Sequence, residues 1–402
     1  MLAMAHFGSL QAQVFSTEPK IEAIKTLRVL ADGDFRKLPV IDLQGEARVE
    51  VSFDYLGDEQ PWLSYRVRHC DANWQPDDQN ELDYMEGVMP ARVEEVTPSF
   101  NTVTTNYYHC SVTFPNNDVR LVASGNYVVE FFDENDADTV LATATFSISE
   151  QQAWVQGEVS GITDIDYRKQ HQQLALALRW SEQYLPNVNA ASELTLVVRQ
   201  NRRDDTRRTI KQPIRIEPTV AYYEHMQDLI FEGGNNWRQF ENTDERYPGI
   251  GIEKLRFTHN GYDVWLEEDK CRGSYLLEPD VHGRYLVKAE KVNDPDTESE
   301  YSQVHFALRA SKALDAAGIW LVGDFAYGQR NETFRMEYDE EAQLYRKTLY
   351  LKQGAYNYLY NSSAIEGNYS ETPNEYDVFV YYRPFGGRYD RLISIAIVKV
   401  SN

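Results

Sequence analysis

The sequence predicts an all-β protein built from tandem β-sandwich domains. Short runs alternating apolar and polar residues recur along most of the chain, while long amphipathic helical patterns are scarce. Tyrosine is abundant, at 27 residues against six methionines, and aromatic side chains favour pleated surfaces. Several short strands also fall within each stretch of roughly 100 to 150 residues, which suits sandwiches.

At 402 residues the chain has room for two or three domains. Residues 1–20 form a leader. Its "MLAMAHFGSLQAQVFS" reads as the end of a signal peptide cleaved near Ala12. It is short and lacks a basic n-region, so its true start is expected upstream. The first unit spans residues 21–150 and ends where "TATFSIS" gives way to a link at "SEQQ". The second unit spans 151–300 and ends in "EKVNDPDTESEYS", acidic, interrupted by proline and read as a loop or linker. The third unit is 301–402.

Within the first unit, "SYRVRHC" alternates, with Tyr65, Val67 and His69 on one face and Arg66 and Arg68 on the other. "GNYVVEFFDEND" is a strand entered through Gly125 and left through an acidic turn. In the second unit "LALALRW", "ELTLVVRQ" and "KLRFTHNGYDVWLEED" read as strands, and "QVHFALRA" opens the third. Asn260-Gly261 predicts a type I′ hairpin turn, which needs positive φ at both central residues. In the third unit a strand ends in Gly323-Asp324-Phe325, and after a turn at Lys352-Gln353-Gly354 the residues Tyr356, Tyr358 and Tyr360 share a face. This pattern resembles the early-set immunoglobulin-like domains of starch- and glycogen-handling proteins. That likeness raises carbohydrate binding as an alternative function, with Tyr327 as the stacking platform. The tyrosines read more simply as sandwich packing.

A formal charge of −23 disfavours a nucleic-acid partner and adsorption to anionic lipid. No run approaches the roughly 20 apolar residues of a membrane helix. Cys70, Cys110 and Cys271 are odd in number and widely spaced, so no disulfide framework is expected. A single Cys70–Cys110 bridge remains open in an oxidising compartment.

The stretch "RHCDANWQPDD" gathers the residue types of a reaction centre. His69 and Cys70 are strand neighbours, however, and point to opposite faces, so they cannot share one metal ion without a bulge. A calcium loop fails at Gln75-Pro76. His109-Cys110 has the same adjacency. Nucleophile elbow, phosphate loop and zinc-protease motifs are absent. No catalytic, metal or cofactor residues are therefore expected. An esterase or glycosidase would rest only on abundant acids and the two His-Cys pairs. The remaining reading is a pinned strand-end turn. Asp71 and Asn73 bond nearby backbone as Asx turns do, Trp74 is a buried anchor, and Pro76 fixes the exit. Truncating a buried tryptophan typically costs about 3–5 kcal/mol.

The stretch "YRVRHCDANWQPDDQNELDYMEG" resembles the plug protein family of the type IX secretion system of Bacteroidota. So do "PSFNTVTTNYYHCSVTFPNNDVRLVASGNYVVEFFDEND" and the tail "EGNYSETPNEYDVFVYYRPFGGRYDRLISIAIV". The motif positions are His69, Cys70, Asp71, Asn73, Trp74, Gly125, Tyr127, Arg383, Pro384, Arg388 and Asp390. The resemblance implies a non-enzymatic, cofactor-free periplasmic protein, peripheral to the outer membrane. It would be monomeric when free and would close the periplasmic mouth of a very large outer-membrane β-barrel translocon. It implies structural roles for these positions and names no partner-binding residues.

Overall fold

The computed structural model describes residues 14–275, 277–311, 314, 318–328 and 331–400, so the leader cleavage expected near Ala12 lies outside the described residues. Strands account for 49% and helices for 7%, and the helices are single turns within connections, so every layer is a sheet.

The first sandwich contains β1 (Ile24–Ala31), β2 (Val49–Leu56), β3 (Leu63–Cys70), β4 (Tyr107–Phe114), β5 (Gly125–Asp133) and β6 (Asp136–Ser149). One sheet runs β1-β2-β4, and the other runs β6-β5-β3. Val51 and Phe53 from the first meet Tyr65, Val67 and Phe131 from the second in one core. The alternation of β3 is as expected. Tyr65, Val67 and His69 are buried, while Arg66 and Arg68 lie on the other face and reach the Glu130 carboxylate at 2.7 and 2.9 Å.

The chain then begins a second sandwich with β7 (Ala153–Ser160), β8 (His171–Trp180) and β9 (Leu194–Gln200). It leaves that sandwich unfinished and builds a third. There β10 (Arg238–Asn242) pairs with the later β15, while β11 (Ile252–Thr258), β12 (Gly261–Leu266), β13 (Tyr301–Arg309) and β14 (Leu344–Lys352) follow in one sheet. β15 (Gly354–Tyr360) completes the opposing layer. The last long strands, β16 (Glu375–Tyr382) and β17 (Arg391–Lys399), return to the second sandwich in the order β9-β16-β17.

The boundary expected at residue 300 therefore does not separate two sheets. Strands on both sides of it share one sheet, and 375–399 belong with 153–200. The segment "EKVNDPDTESEYS" is a connection inside the third sandwich rather than a linker. It is pressed against the first sandwich, where the Phe100 N–H donates to the Thr297 carbonyl at 2.8 Å. Local alternation identifies strands but says nothing of their partners, and β16 is buried on both faces.

The first and third sandwiches repeat one device. Tyr127 and Tyr356 each follow a glycine by two positions at the start of a strand. Each hydroxyl donates to the carbonyl four residues back, to Ala123 at 2.7 Å and to Lys352 at 2.5 Å. This is the tyrosine corner that closes sandwich ends. Tyr356, Tyr358 and Tyr360 are all buried in the third core.

One local expectation is corrected. The β11–β12 hairpin exists, but Thr258 pairs with Gly261, so the turn is His259-Asn260, one residue earlier than expected. Asn260 is not among the positive-φ residues, so the turn is not type I′. The Thr258 hydroxyl shapes it instead, accepting from the Asn260 N–H and donating to the Gly261 carbonyl, both at 3.2 Å. Cys70 and Cys110 are free. Cys110 lies in the first core, whereas Cys70 packs outside it with Phe15 and Val128, so the sheet separates the two thiols.

Candidate functional site: the interdomain junction

The turn after β3 is built by Asp71. Its Oδ1 accepts from the backbone N–H groups of Asn73 and Gln75 at 2.8 and 2.9 Å. The turn closes through Trp74 in the left-handed region, φ 61°, whose N–H donates to the Asp71 carbonyl at 3.0 Å. One part of the expected turn is corrected. The Asn73 side chain is exposed, and its oxygen faces the Arg207 guanidinium at 3.5 Å instead of local backbone. Trp74 is half-buried against Phe15, Cys70 and Val128, so truncating it costs less than emptying a fully buried site.

The tail loop between β16 and β17 completes the junction. Asp390 is held by Arg383 at 2.8 Å, and its other oxygen accepts from the Ala72 N–H at 2.9 Å. Asn126, next to Gly125, is fully buried. Its amide donates to the Asp71 carbonyl at 2.9 Å, and its oxygen accepts from Ser147 and Tyr381 at 2.7 and 3.0 Å. Arg391 grips Glu150, which also accepts from the Ser124 hydroxyl at 2.5 Å. Three stretches far apart in sequence thus meet where the first and second sandwiches join. Pro384 lies in the tail loop and accepts from the Gly387 N–H at 2.7 Å, while exposed Arg388 reaches Asp83 only at 3.8 Å.

His69 sits at the centre. Its Nδ1 faces the Asp77 carboxylate and its Nε2 the Ser124 carbonyl, the latter at 3.0 Å. Tyr84, Tyr127 and Tyr389 enclose the ring with centroids 5.0 to 5.8 Å away. Histidine, aspartate and serine are together, but the contact to Ser124 is its carbonyl and the serine hydroxyl is spent on Glu150, so no nucleophile is poised. Burial pushes the Cys70 thiol far up, away from a reactive thiolate. Among the described residues no cluster of three or more His, Cys, Asp or Glu could hold a metal ion. The arrangement can do one thing well, which is to fix two domains.

A second junction had no sequence signal. Asp54 and Lys352 are both fully buried between the first and third sandwiches, with Nζ to Oδ2 at 2.6 Å. Tyr301 donates to the same oxygen at 2.6 Å, and His109 Nδ1 lies 2.8 Å from the other. Burial opposes the charge on both groups and draws the Lys352 ammonium down. On Asp54 the attraction of Lys352 and His109 outweighs it and holds the carboxyl below its usual range. Tyr327, the platform expected for sugar stacking, is half-buried here, packed between the first and third cores.

A third junction joins the second and third sandwiches through Glu375, which pairs with Arg284 at 2.7 Å and Lys399 at 2.6 Å. Burial alone would raise this carboxyl, but the bonds from Lys399 and Arg284 pull it down to about 2. A depressed carboxyl stabilises the fold above its unfolded pKa and loses that contribution as pH falls through the folded value. Stability should therefore fall between about pH 4.3, the free glutamate value, and pH 2, and Glu375→Gln should flatten part of that limb. Urea midpoints of both proteins across the range measure this. Identical slopes would remove Glu375 from the account.

A family model described as the type 9 secretion system plug protein first domain matches residues 24–150. The chain belongs to the type IX secretion system plug protein family. A solved structure of a hypothetical protein from Parabacteroides merdae ATCC 43184 is similar throughout, at 35% identity and a TM-score of 0.92. The match covers 96% of this chain and all of that one, so the likeness extends over the three sandwiches of the plug-family chain. No curated protein matches. The plug family is not a known enzyme family, and it suggests a secretion-related place in the cell envelope. Among the described residues no helix is long and apolar enough to cross a membrane.

Proposed function

We propose that this chain is a non-enzymatic periplasmic subunit that binds the outer-membrane β-barrel translocon of type IX secretion and closes its periplasmic opening. Family membership carries the reading. The junctions support it, because a body that blocks a wide pore must not flex apart under load. The signature residues serve that rigidity rather than chemistry. The carbohydrate-binding alternative is less well supported, since Tyr327 is half-buried between the first and third cores rather than standing free as a platform.

One exposed feature suits a seat. Phe385, at the tip of the tail loop, is 100% exposed, while its backbone N–H is fixed to Glu193 at 2.9 Å. A bare aromatic on an anchored loop is the kind of residue a partner covers.

Conductance of reconstituted translocon barrels tests the proposal. Barrels stripped of this chain should conduct small solutes, and adding it back should close them. Barrels that stay shut without it, or open with it, would refute the reading. Phe385→Asp should keep the wild-type melting temperature yet close the pore less well. The charge of −23 also allows steering by basic groups on the barrel, and screening shortens from about 10 Å at 0.1 M to about 3 Å at 1 M salt. Association should then slow with salt while dissociation changes little.

A further inference from the structure

A cavity of about 420 Å³ opens between β1 of the first sandwich and the third sandwich, within the roughly 300–1,000 Å³ of small-ligand sites. Its walls include the aromatic rings of Phe325, Tyr327, Phe334 and Tyr350. Across from them lie Lys25 and Thr26, consecutive residues that both line the same space. In a regular strand neighbouring side chains point to opposite faces. Here a β-bulge intervenes. The register shifts between Lys25, opposite Asp54, and Arg28, opposite Ser52, and Thr26 takes φ 50°. Positive φ at a β-branched residue is a costly conformation. It is held by a 2.6 Å bond between the Thr26 and Tyr301 hydroxyls. Bulges of this kind re-aim side chains and gather at functional sites.

The bulge sends Leu27 into the first core in place of Thr26 and leaves Thr26 outward beside Lys25, a cation with unused capacity. Three lysines line the cavity. Lys20 is paired with Glu18, and Lys352 with Asp54. Among the described residues the Lys25 ammonium has no ion pair and no hydrogen bond. Burial draws its pKa down, and the attraction of Glu22 only partly offsets this. An ammonium partly stripped of water beside aromatic walls favours an anion that brings its own apolar surface.

We infer that this cavity binds a carboxylate carried on an apolar body of about dipeptide size, with the carboxylate on Lys25 and the body against the aromatic wall. Such a group is offered by a free aryl or alkyl acid, or by the C-terminal residue of a polypeptide. The inference stands apart from the translocon reading, because its test uses the purified chain alone.

Calorimetric titration with 4-phenylbutyrate, with N-acetyl-Leu-Phe as free acid, and with the amide of that dipeptide distinguishes the cases. Saturable binding of either acid, with the dipeptide acid at least about tenfold tighter than its amide, supports the site, since a charge-assisted bond is worth about 1.5–3 kcal/mol. Tighter binding of the dipeptide acid assigns the source as a polypeptide terminus, and tighter phenylbutyrate as a free acid. Lys25→Met should abolish the preference for acid over amide at an unchanged melting temperature, and Lys25→Arg should keep it. No saturable binding by either acid, equal binding of the amide, or a preference surviving in Lys25→Met would each overturn the assignment.

Discussion

Lys352→Met should destabilise the folded chain by about 3–5 kcal/mol, the usual cost of leaving a buried charge without its partner. Asp54 would remain fully buried, with Tyr301 and His109 as its remaining contacts. The ammonium also donates to the Asp296 carbonyl at 2.5 Å and lies 4.2 Å from the centre of the Tyr107 ring, so its loss loosens the 294–300 connection too. Urea denaturation followed by tryptophan fluorescence measures the loss. The double variant Asp54→Leu/Lys352→Met should recover part of it, because two apolar side chains leave no orphaned charge. A single variant within about 1 kcal/mol of wild type would show that water reaches Asp54 freely.

Gly125→Ala should cost about 2–5 kcal/mol, combining left-handed backbone strain with overpacking. Gly125 has φ 134°, and an added Cβ would fall 2.3 Å from His69 Nε2 and 3.0 Å from the Asp390 carbonyl. Neither neighbour can yield cheaply. The imidazole is enclosed by three tyrosines, and Asp390 is tied to Arg383 and Ala72. The effect should appear as lost protection from hydrogen exchange in both 63–77 and 383–391, since one methyl group wedges the two apart. Protection lost around β5 alone would mean that the junction does not couple the sandwiches.

The strands were legible because their alternation is local. β3 could be assigned face by face from "SYRVRHC", and the structure places His69 and Cys70 on opposite faces as that alternation has it. The turn was legible through Asp71, whose short side chain reaches two backbone N–H groups. It was misjudged at Asn73, whose side-chain oxygen turns to Arg207, a residue from another part of the chain. The Asp54–Lys352 pair was invisible for a related reason. On β2 the inward face is carried by Val49, Val51 and Phe53, so Asp54 reads as a solvent residue until another domain covers it. Strand pairing across the third sandwich was equally hidden, since no property of "YDVFVYY" says that its neighbour is "LTLVVRQ".

That interrupted second sandwich bears on how the protein is made. Gln200 bonds Tyr376, 176 residues further along the chain, and the core around Leu196 and Val198 stays open until β16 arrives. At synthesis rates of roughly 5–20 residues per second, β9 waits on the order of 10–30 s for its neighbour. During that interval an apolar strand edge is uncovered, the kind of surface that pairs with other chains. The first sandwich draws its strands from one continuous stretch and can close early, with the third following as an independent unit. Arrival of the tail then seals the middle layer and, through Asp390 and Tyr381, clamps it to the first. The loop that carries Phe385 into the open joins these two late strands, so a chain that presents this finger on its anchored loop has already closed its middle layer.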